Sequence, residues 1–426
     1  MSPIISKVAI GLLILGLLIG FGVGYGLLGM LVTPPIHGLV GDVTIVVLVP
    51  LSGALTTYGE NSKVAAELAV KDVNAWLEEI GAGWRLKYIF EDTATDPVTA
   101  LSKLKMWHGK GVLIYHQMTS SSELKECKAY ADANKLLQIS CMSSSAALAI
   151  PDDYIFRNIV HSLKSCQPIV ELMVTAGVRH VIPTWRGDSW GDSFHDAVKA
   201  ELEKRGIICH DEYGIRYDPM LTSFTVQAAT LNDALTALLK KGIPKDEIGI
   251  FDLSFDEVAI YMADAATYPS LREVKWFGSD STANVETLIK NEAAGRFAMD
   301  VKFTNPTYSP GENPKMQRVR EHIKNVLARE TDPYAYASYD IVWYLAIALH
   351  IVDAYDPDAV KKVLPKVVEN HFGASGWFTL DKNGDRAFAD YDIWVLREIE
   401  GKLTWVSAGT WKYLTGKTEW RIPIYS

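Results

Sequence analysis

The sequence predicts an α/β fold built from two doubly wound lobes with parallel sheets. First, short apolar runs of strand type alternate with segments of helical period through residues 43–283. This alternation is typical of parallel sheets covered by helices. Second, the alternation restarts after a short extended segment at residues 154–157, which indicates a second lobe of similar construction. A chain of 426 residues is long enough for both lobes.

The first half of the chain opens with an apolar, β-branched run at residues 43–49, which is typical of a strand buried on both faces. A turn containing Pro50 and Gly53 separates it from the first segment of helical period. Further strand-type runs and helical segments then alternate. In chain order the expected elements are strand 43–49, helix 62–80, strand 86–90, helix 97–110, strand 112–115, helix 123–134 and strand 136–139.

The second half repeats this pattern and then changes character, with a long amphipathic helix and a hairpin. The hairpin turn, residues 381–386, has some likeness to a calcium loop, but it lacks the Gly at position six and the Glu at position twelve. It is therefore predicted to be a plain turn. The expected elements are helix 165–176, strand 178–183, helix 193–205, strand 207–213, helix 222–241, strand 248–253, helix 257–266, strands 274–277 and 297–303, helices 313–329 and 336–354, and strands 377–380, 391–397 and 403–407.

Two serine-rich loops, residues 119–122 and 143–145, each follow a predicted strand of the first half. Both precede a segment of helical character, where hydroxyl groups cap helices and free N–H groups attract anions. Because the carboxyl ends of parallel strands meet at one edge of a sheet, we expect the loops to lie side by side. In one interpretation they clamp a small carboxylate, and in the other they only cap their helices.

The amino terminus predicts a membrane anchor. Residues 8–32 carry no charged side chain and are long enough to span a bilayer as a helix. Lys7 precedes them, which places a cytoplasmic stub at residues 1–7 and the rest of the chain outside. Residues 33–42 then form a linker. An uncleaved signal anchor is the first interpretation of this stretch, and a cleaved signal peptide is the second.

Charge and motif content exclude several functions. The net charge of −9 gives no indication of a nucleic-acid partner. The four cysteines show no CxxC or Cys/His spacing of a metal site, so neither a metal nor another cofactor is expected. Whether any of them form disulfides stays open at this point. The sequence also lacks a P-loop and an evident Ser–His–acid constellation, so it is predicted not to be an enzyme.

Several short motifs occur together in a fixed order over residues 43–396. They are residues 46–53 with Tyr58-Gly59, Glu91-Asp92-Thr93 with Asp96-Pro97, the two serine loops, Tyr154 to Arg157, Trp190-Gly191, Tyr339-Asp340 and Asn383 to Arg386. In this order the chain resembles the type I periplasmic solute-binding proteins of the branched-chain amino-acid (Leu/Ile/Val) class. Each motif is weak alone, and the combination is specific.

The resemblance implies two Rossmann-like lobes joined by three crossovers, with a ligand in the cleft between them. Lobe one would comprise residues 43–158 and 284–374. Lobe two would comprise residues 159–283 and 375–426. Ligand binding would close the lobes by rotation at the crossovers.

The resemblance also implies a set of ligand-binding residues. Asp280 would hold an α-ammonium group, although it could instead be the N-cap of the next helix. The family pattern does not decide between Ser120 and Ser121 as the first carboxylate ligand. Tyr58 and Trp190 would wall the side-chain pocket, or they would simply pack at loop bases. Phe255 or Ser254 stands where an aromatic residue of the family commonly closes over the ligand. The residues implied for the α-carboxylate are Ser120 or Ser121, Met142, Ser143 and Ser144.

The expected function is that of an extracytoplasmic receptor at the cell membrane. It would bind an amino acid of branched-chain type, or a similar small polar solute, and deliver it to the permease subunits of an ABC importer. The alternative is a ligand-sensing receptor of the same fold that signals through a membrane partner.

Overall fold

The computed structural model describes residues 38–425. The predicted stub, the predicted membrane span and residues 33–37 of the predicted linker lie outside the described residues. Among the described helices, only Pro333–Val352 is long and apolar enough to cross a membrane. Because 72% of its apolar window is buried inside the protein, it is a core helix.

The first sheet consists of five parallel strands. They are β1 (Gly41–Val49), β2 (Trp84–Asp92), β3 (Ile114–Gln117), β4 (Leu137–Ser140) and β5 (Ile155–Arg157). Their order is β2-β1-β3-β4-β5. Side chains of β1 alternate between two apolar clusters: Val47 and Val49 pack on one face, and Val46 and Leu48 pack on the other. Burial of both faces explains why this strand is apolar throughout.

Three helices connect these strands. They are α1 (Thr56–Glu79), α2 (Pro97–His108) and α3 (Ser121–Ala133). Asp96 caps α2 by accepting a hydrogen bond from the Thr99 N–H at 2.7 Å, and Pro97 occupies the first turn. Helices α2 and α3 pack against each other over the Val46 and Leu48 face. The first lobe is therefore doubly wound, as predicted.

The second lobe repeats this arrangement around a second parallel sheet. Its strands are β6 (His180–Arg186), β7 (Ile208–Cys209), β8 (Ile215–Tyr217), β9 (Ile248–Leu253) and β10 (Lys275–Phe277). Their order is β10-β9-β6-β7, and β8 also pairs with β6. Its helices are α4 (Ser162–Thr175), α5 (Ser189–Lys204), α6 (Thr225–Lys240), α7 (Val258–Ala265), α8 (Glu286–Lys290) and α9 (Glu292–Asp300).

The last part of the chain adds a third sheet and completes the first lobe. The antiparallel strands of this sheet are β11 (Asn305–Ser309), β12 (Asp390–Ile399), β13 (Lys402–Lys412) and β14 (Lys417–Trp420). Between β11 and β12 the chain forms α10 (Pro314–Leu327), α11 (Pro333–Val352) and α12 (Pro357–Glu369). Helix α11 packs along α1 and against α12. It covers the face of the first sheet opposite α2 and α3.

The structure places residues 284–304 with the second lobe, whereas the sequence analysis assigned them to the first. Helix α9 packs on α7, and Thr304 forms a parallel bridge with Phe277 at the edge of the second sheet. Trp276 N–H also donates to the Val301 carbonyl at 3.1 Å. The chain therefore leaves the second lobe near β11 and not at residue 284.

The first and last crossovers lie side by side. Arg157, the last residue of β5, forms a parallel bridge with Asp385, and its N–H donates to the Gly384 carbonyl at 2.9 Å. Residues 381–386 form the predicted plain turn, closed by Asp381 N–H donating to the Asp385 carbonyl at 2.7 Å. Gly384 has φ +76°, a conformation that favours glycine.

Four local predictions were wrong. The strand expected at 377–380 is not formed, and of these residues only Leu380 makes a β-bridge, with Arg386. Residues 297–303 were expected to form a strand, but α9 runs to Asp300 because Ala294, Phe297 and Ala298 share one buried helical face. The strand expected at 207–213 is cut to Ile208–Cys209, followed by a 3₁₀ turn at Asp211–Tyr213. Helix α12 was not predicted, although Asp356 and Pro357 mark its start.

Candidate functional site

The first serine loop starts helix α3 and ends strand β3. Ser120 is the N-cap of this helix: its Oγ accepts from the Glu123 N–H at 3.2 Å, and its own N–H donates to Glu123 Oε2 at 2.8 Å. This reciprocal pair is a capping box. Burial raises the pKa of Glu123 to about 7. The capping interpretation is therefore confirmed for Ser120, whose side chain also lines the cavity described below.

Ser121 joins the two serine loops. Its Oγ accepts from the Ser143 hydroxyl at 2.9 Å and from the Ser145 N–H at 3.1 Å. The segment after the second loop forms only a 3₁₀ turn, Ala146–Leu148. The prediction that a helix begins there was therefore wrong, and the second loop offers no α-helix N-terminus to a ligand. The second loop is shaped instead by Ser140, whose Oγ accepts from the Met142 and Ser143 N–H groups. The loops do lie side by side, as predicted.

Aromatic side chains from both lobes meet at these loops. Tyr58 of α1 donates its hydroxyl hydrogen bond to the Ala283 carbonyl at 2.9 Å, and its ring meets that of Tyr334 edge-on at 5.2 Å. Trp190 of α5 donates from Nε1 to Ser144 Oγ at 3.1 Å. Its ring lies 4.8 Å from that of Phe255. All three predicted aromatic residues therefore contact groups of the site.

Asp280 lies beside this aromatic group and is 4% exposed. Burial raises its pKa to about 6, and a contact from the Tyr334 hydroxyl opposes that shift. Its Oδ1 has no hydrogen-bond partner among the residues that the structure describes. The next helix begins after Val285, so the N-cap interpretation of Asp280 was wrong. A buried carboxylate oxygen without a partner costs free energy, and a cation would relieve that cost.

These residues enclose a small cavity between the lobes, with a volume of about 20 Å³. That space is comparable to the volume that one water molecule requires. An amino acid therefore needs the lobes to open. The residues that line the cavity are Leu55, Tyr58, Ser120, Ser121, Met142, Trp190, Phe255, Ser281 and Tyr334.

The structure brings the predicted site residues together, although three of them lie behind the lining. Ser143 and Ser144 bond to lining residues, and Asp280 adjoins Ser281 and contacts Tyr334. Sequence reasoning missed Leu55, Ser281 and Tyr334. Asp332 and Pro333 mark a helix start that places Tyr334 in a first turn, but no local signal places that turn in the cleft.

Direct hydrogen bonds between the lobes hold the cleft closed. On one side, Thr57 Oγ1 donates to Asp256 Oδ2 at 2.9 Å. On the other side, the Ser189 N–H donates to Ser122 Oγ at 3.2 Å, and the Ala146 N–H donates to Ser193 Oγ at 2.9 Å. Lobe opening must break these bonds, so the described conformation is the closed one.

Arg157 connects the hinge to the second serine loop. Its guanidinium pairs with both oxygens of Asp385 at 2.5 Å, and its Nη1 donates to the Ser143 and Ser145 carbonyls at 3.2 and 2.7 Å. The arginine side chain is 0% exposed. One buried cation therefore fixes both the crossover strands and the loop that carries Ser143 to Ser145.

A larger cavity, of about 470 Å³, lies between the first residues of α11 and the third sheet. Its charged side chains include matched pairs: Lys412 lies 3.0 Å from Asp390, and Arg421 lies 3.2 Å from Asp392. The smaller cavity differs because it joins the predicted residues of both lobes and adjoins an unpaired carboxylate. We therefore take the smaller cavity as the candidate site.

Two α/β lobes that close over a cavity of serine and aromatic side chains define a ligand-binding receptor with a hinge. The family model described as the receptor family ligand binding region matches residues 61–398. The chain belongs to this family, and its fold is that of the type I periplasmic binding proteins.

Three similar proteins illustrate the relationship. An uncharacterized protein of Methanocaldococcus jannaschii is 29% identical over 392 residues, which are 88% of this chain and 90% of that protein. A leucine-binding protein of Thermotoga maritima, LivK, has a TM-score of 0.69 at 16% identity and covers 87% of this chain and 98% of its own. A solute-binding protein of an ABC transporter from R. palustris, solved with benzoate, has a TM-score of 0.68 at 14% identity. The match covers 86% of this chain and 96% of that protein.

Proposed function

We propose that this protein is the extracytoplasmic solute receptor of an ABC importer and that it binds a zwitterionic amino acid. The observation that carries the proposal is Asp280, a buried carboxylate with one oxygen unpartnered beside the closed cleft. A ligand ammonium would supply the missing charge and donor. In the first lobe, Ser121 lines the cavity and its hydroxyl suits the ligand carboxylate.

The cavity walls favour a ligand with an apolar side chain. Leu55, Met142 and the aromatic rings of Tyr58, Trp190 and Phe255 form most of the lining. Burial of an apolar ligand side chain against such walls is favourable in free energy, and the walls offer few hydrogen-bond donors to a polar side chain. A branched-chain or aromatic amino acid fits both the walls and Asp280. A benzoate-type acid fits the walls but leaves Asp280 unpaired.

A thermal-shift screen of the purified full-length chain tests this proposal. A ligand that binds only the folded protein increases its unfolding free energy by about RT ln(1 + [L]/Kd), and the melting temperature rises as a result. We expect leucine, isoleucine, valine or phenylalanine to raise it in a concentration-dependent manner. Benzoate and sugars serve as the comparison ligands. A shift with benzoate or sugars, and none with any amino acid, would contradict the proposed ligand class.

We further propose that residues 8–32 remain on the mature protein and tether the receptor beside its permease. Their length without charge and the preceding Lys7 support an anchor. A tether raises the effective concentration of receptor at the permease. Amino-terminal sequencing of protein extracted from native membranes should find the chain beginning before residue 8. A mature terminus after residue 29, in the soluble fraction, would identify a cleaved signal peptide instead.

A further inference from the structure

Three side chains with metal-binding atoms converge in the second lobe, away from the cleft. His195 lies on α5, Cys209 ends β7, and Asp211 begins the 3₁₀ turn that follows. His195 Nε2 is 3.0 Å from Asp211 Oδ1, and Cys209 Sγ is 3.3 Å from the same oxygen. The three ligating atoms all lie within 4.8 Å of one another. His195 is 6% exposed, and the other two are partly buried.

We propose that His195, Cys209 and Asp211 form a zinc-binding site. Imidazole nitrogen, thiolate sulfur and carboxylate oxygen are the three donor types that Zn²⁺ uses in proteins. Tetrahedral coordination at bond lengths of about 2.0–2.3 Å separates donor atoms by roughly 3.3–3.6 Å. The two separations from Asp211 Oδ1, 3.0 and 3.3 Å, lie within a few tenths of an ångström of this range. The thiolate argues against calcium or magnesium, which prefer oxygen ligands.

The surrounding residues hold the three side chains in place. The other imidazole nitrogen of His195, Nδ1, is 3.1 Å from Asp196 Oδ1, a contact that orients metal-bound histidines in many proteins. Trp185 stacks on the imidazole with ring centroids 4.0 Å apart. Lys199 Nζ lies 2.5 Å from Asp211 Oδ2, which leaves Oδ1 directed at the cluster. The ligands are therefore positioned by contacts that a metal ion does not need to break.

A bound zinc ion would cross-link helix α5, through His195, to the end of strand β7, through Cys209. Helix α5 also carries Trp190, which walls the candidate cleft. Zinc would stabilise the folded second lobe because it binds the assembled cluster and not the separated residues of the unfolded chain. Three protein ligands leave a fourth coordination position for water.

Zinc titration of the chelator-treated full-length chain tests this inference. We expect one Zn²⁺ per chain by calorimetry and by metal analysis. The Cys209→Ser and His195→Gln variants should each bind zinc at least about a hundredfold more weakly. Mutation of residues that only orient the metal ligands already lowers metal affinity about 10–100-fold. With Co²⁺ as the probe, the thiolate-to-metal absorption band should be present in the wild type and absent in Cys209→Ser.

Glu212→Gln is the matched control, because it removes the neighbouring carboxylate, which contacts His210 and not the cluster. It should bind zinc like the wild type. Melting temperatures measured without zinc show whether each variant is folded. If the wild type takes up no stoichiometric zinc, or if folded Cys209→Ser and His195→Gln bind it as tightly as the wild type, the inference is wrong.

Discussion

The Asp280→Asn variant is expected to bind an amine-bearing ligand about ten- to a hundredfold more weakly than the wild type. A hydrogen bond between charged groups in a closed cleft contributes about 1.5–3 kcal/mol, which corresponds to that range of Kd. Asparagine keeps the size of the side chain but removes its charge. Calorimetry with the best amino acid from the thermal-shift screen measures the change.

The pH dependence of binding gives a second readout of the same carboxylate. In the described closed conformation burial raises the pKa of Asp280 to about 6, and protons compete with the ligand ammonium for this carboxylate below that value. Affinity should rise as pH rises through 6 and then level off. The Kd at pH 5 should be about tenfold weaker than at pH 7. The Asp280→Asn variant should lack this pH dependence.

Asp233→Asn is the control for both experiments, because Asp233 is exposed on α6, the outer helix Thr225–Lys240. It should bind with the wild-type affinity and pH profile. Equal affinity of wild type and Asp280→Asn would remove Asp280 from the site. The ligand would then lack an amine, and the aromatic acids would become the candidates.

The Arg157→Met variant is expected to lose about 3–5 kcal/mol of unfolding free energy, because it leaves the buried Asp385 without its partner. Both side chains are almost fully buried, at 0% and 1% exposure. The variant also loses the two hydrogen bonds to the Ser143 and Ser145 carbonyls. Urea unfolding followed by circular dichroism measures the loss. Ligand affinity should fall as well, since the second serine loop loses its support.

A double variant separates the charge effect from the packing effect. Adding Asp385→Leu to Arg157→Met should restore much of the lost stability, because it removes the unpaired charge. The Arg296→Met control breaks an exposed pair with Glu292 and should unfold at the wild-type urea concentration. If Arg157→Met also unfolds there, the buried pair does not hold the hinge together.

The sequence by itself determined the fold class and most of the elements of the two parallel sheets. Strand β1 and helix α1 were predictable because their apolar periods are local properties of consecutive residues. The serine loops were predictable for a related reason. Loops that follow parallel strands meet at one sheet edge, so 119–122 and 143–145 had to be neighbours. The positions of Tyr58, Trp190 and Phe255 came from the family resemblance.

Only the tertiary structure decided the features that depend on contacts between distant parts of the chain. Ser120 caps α3 while Ser121 bonds to the second loop, a choice set by how the loops pack. Tyr334 enters the cleft because α11 packs along α1. Burial, which shifts the pKa of Asp280, comes from both lobes and leaves no trace in the local sequence. The cluster of His195, Cys209 and Asp211 likewise has no spacing signature, because a helix, a strand end and a 3₁₀ turn supply its members.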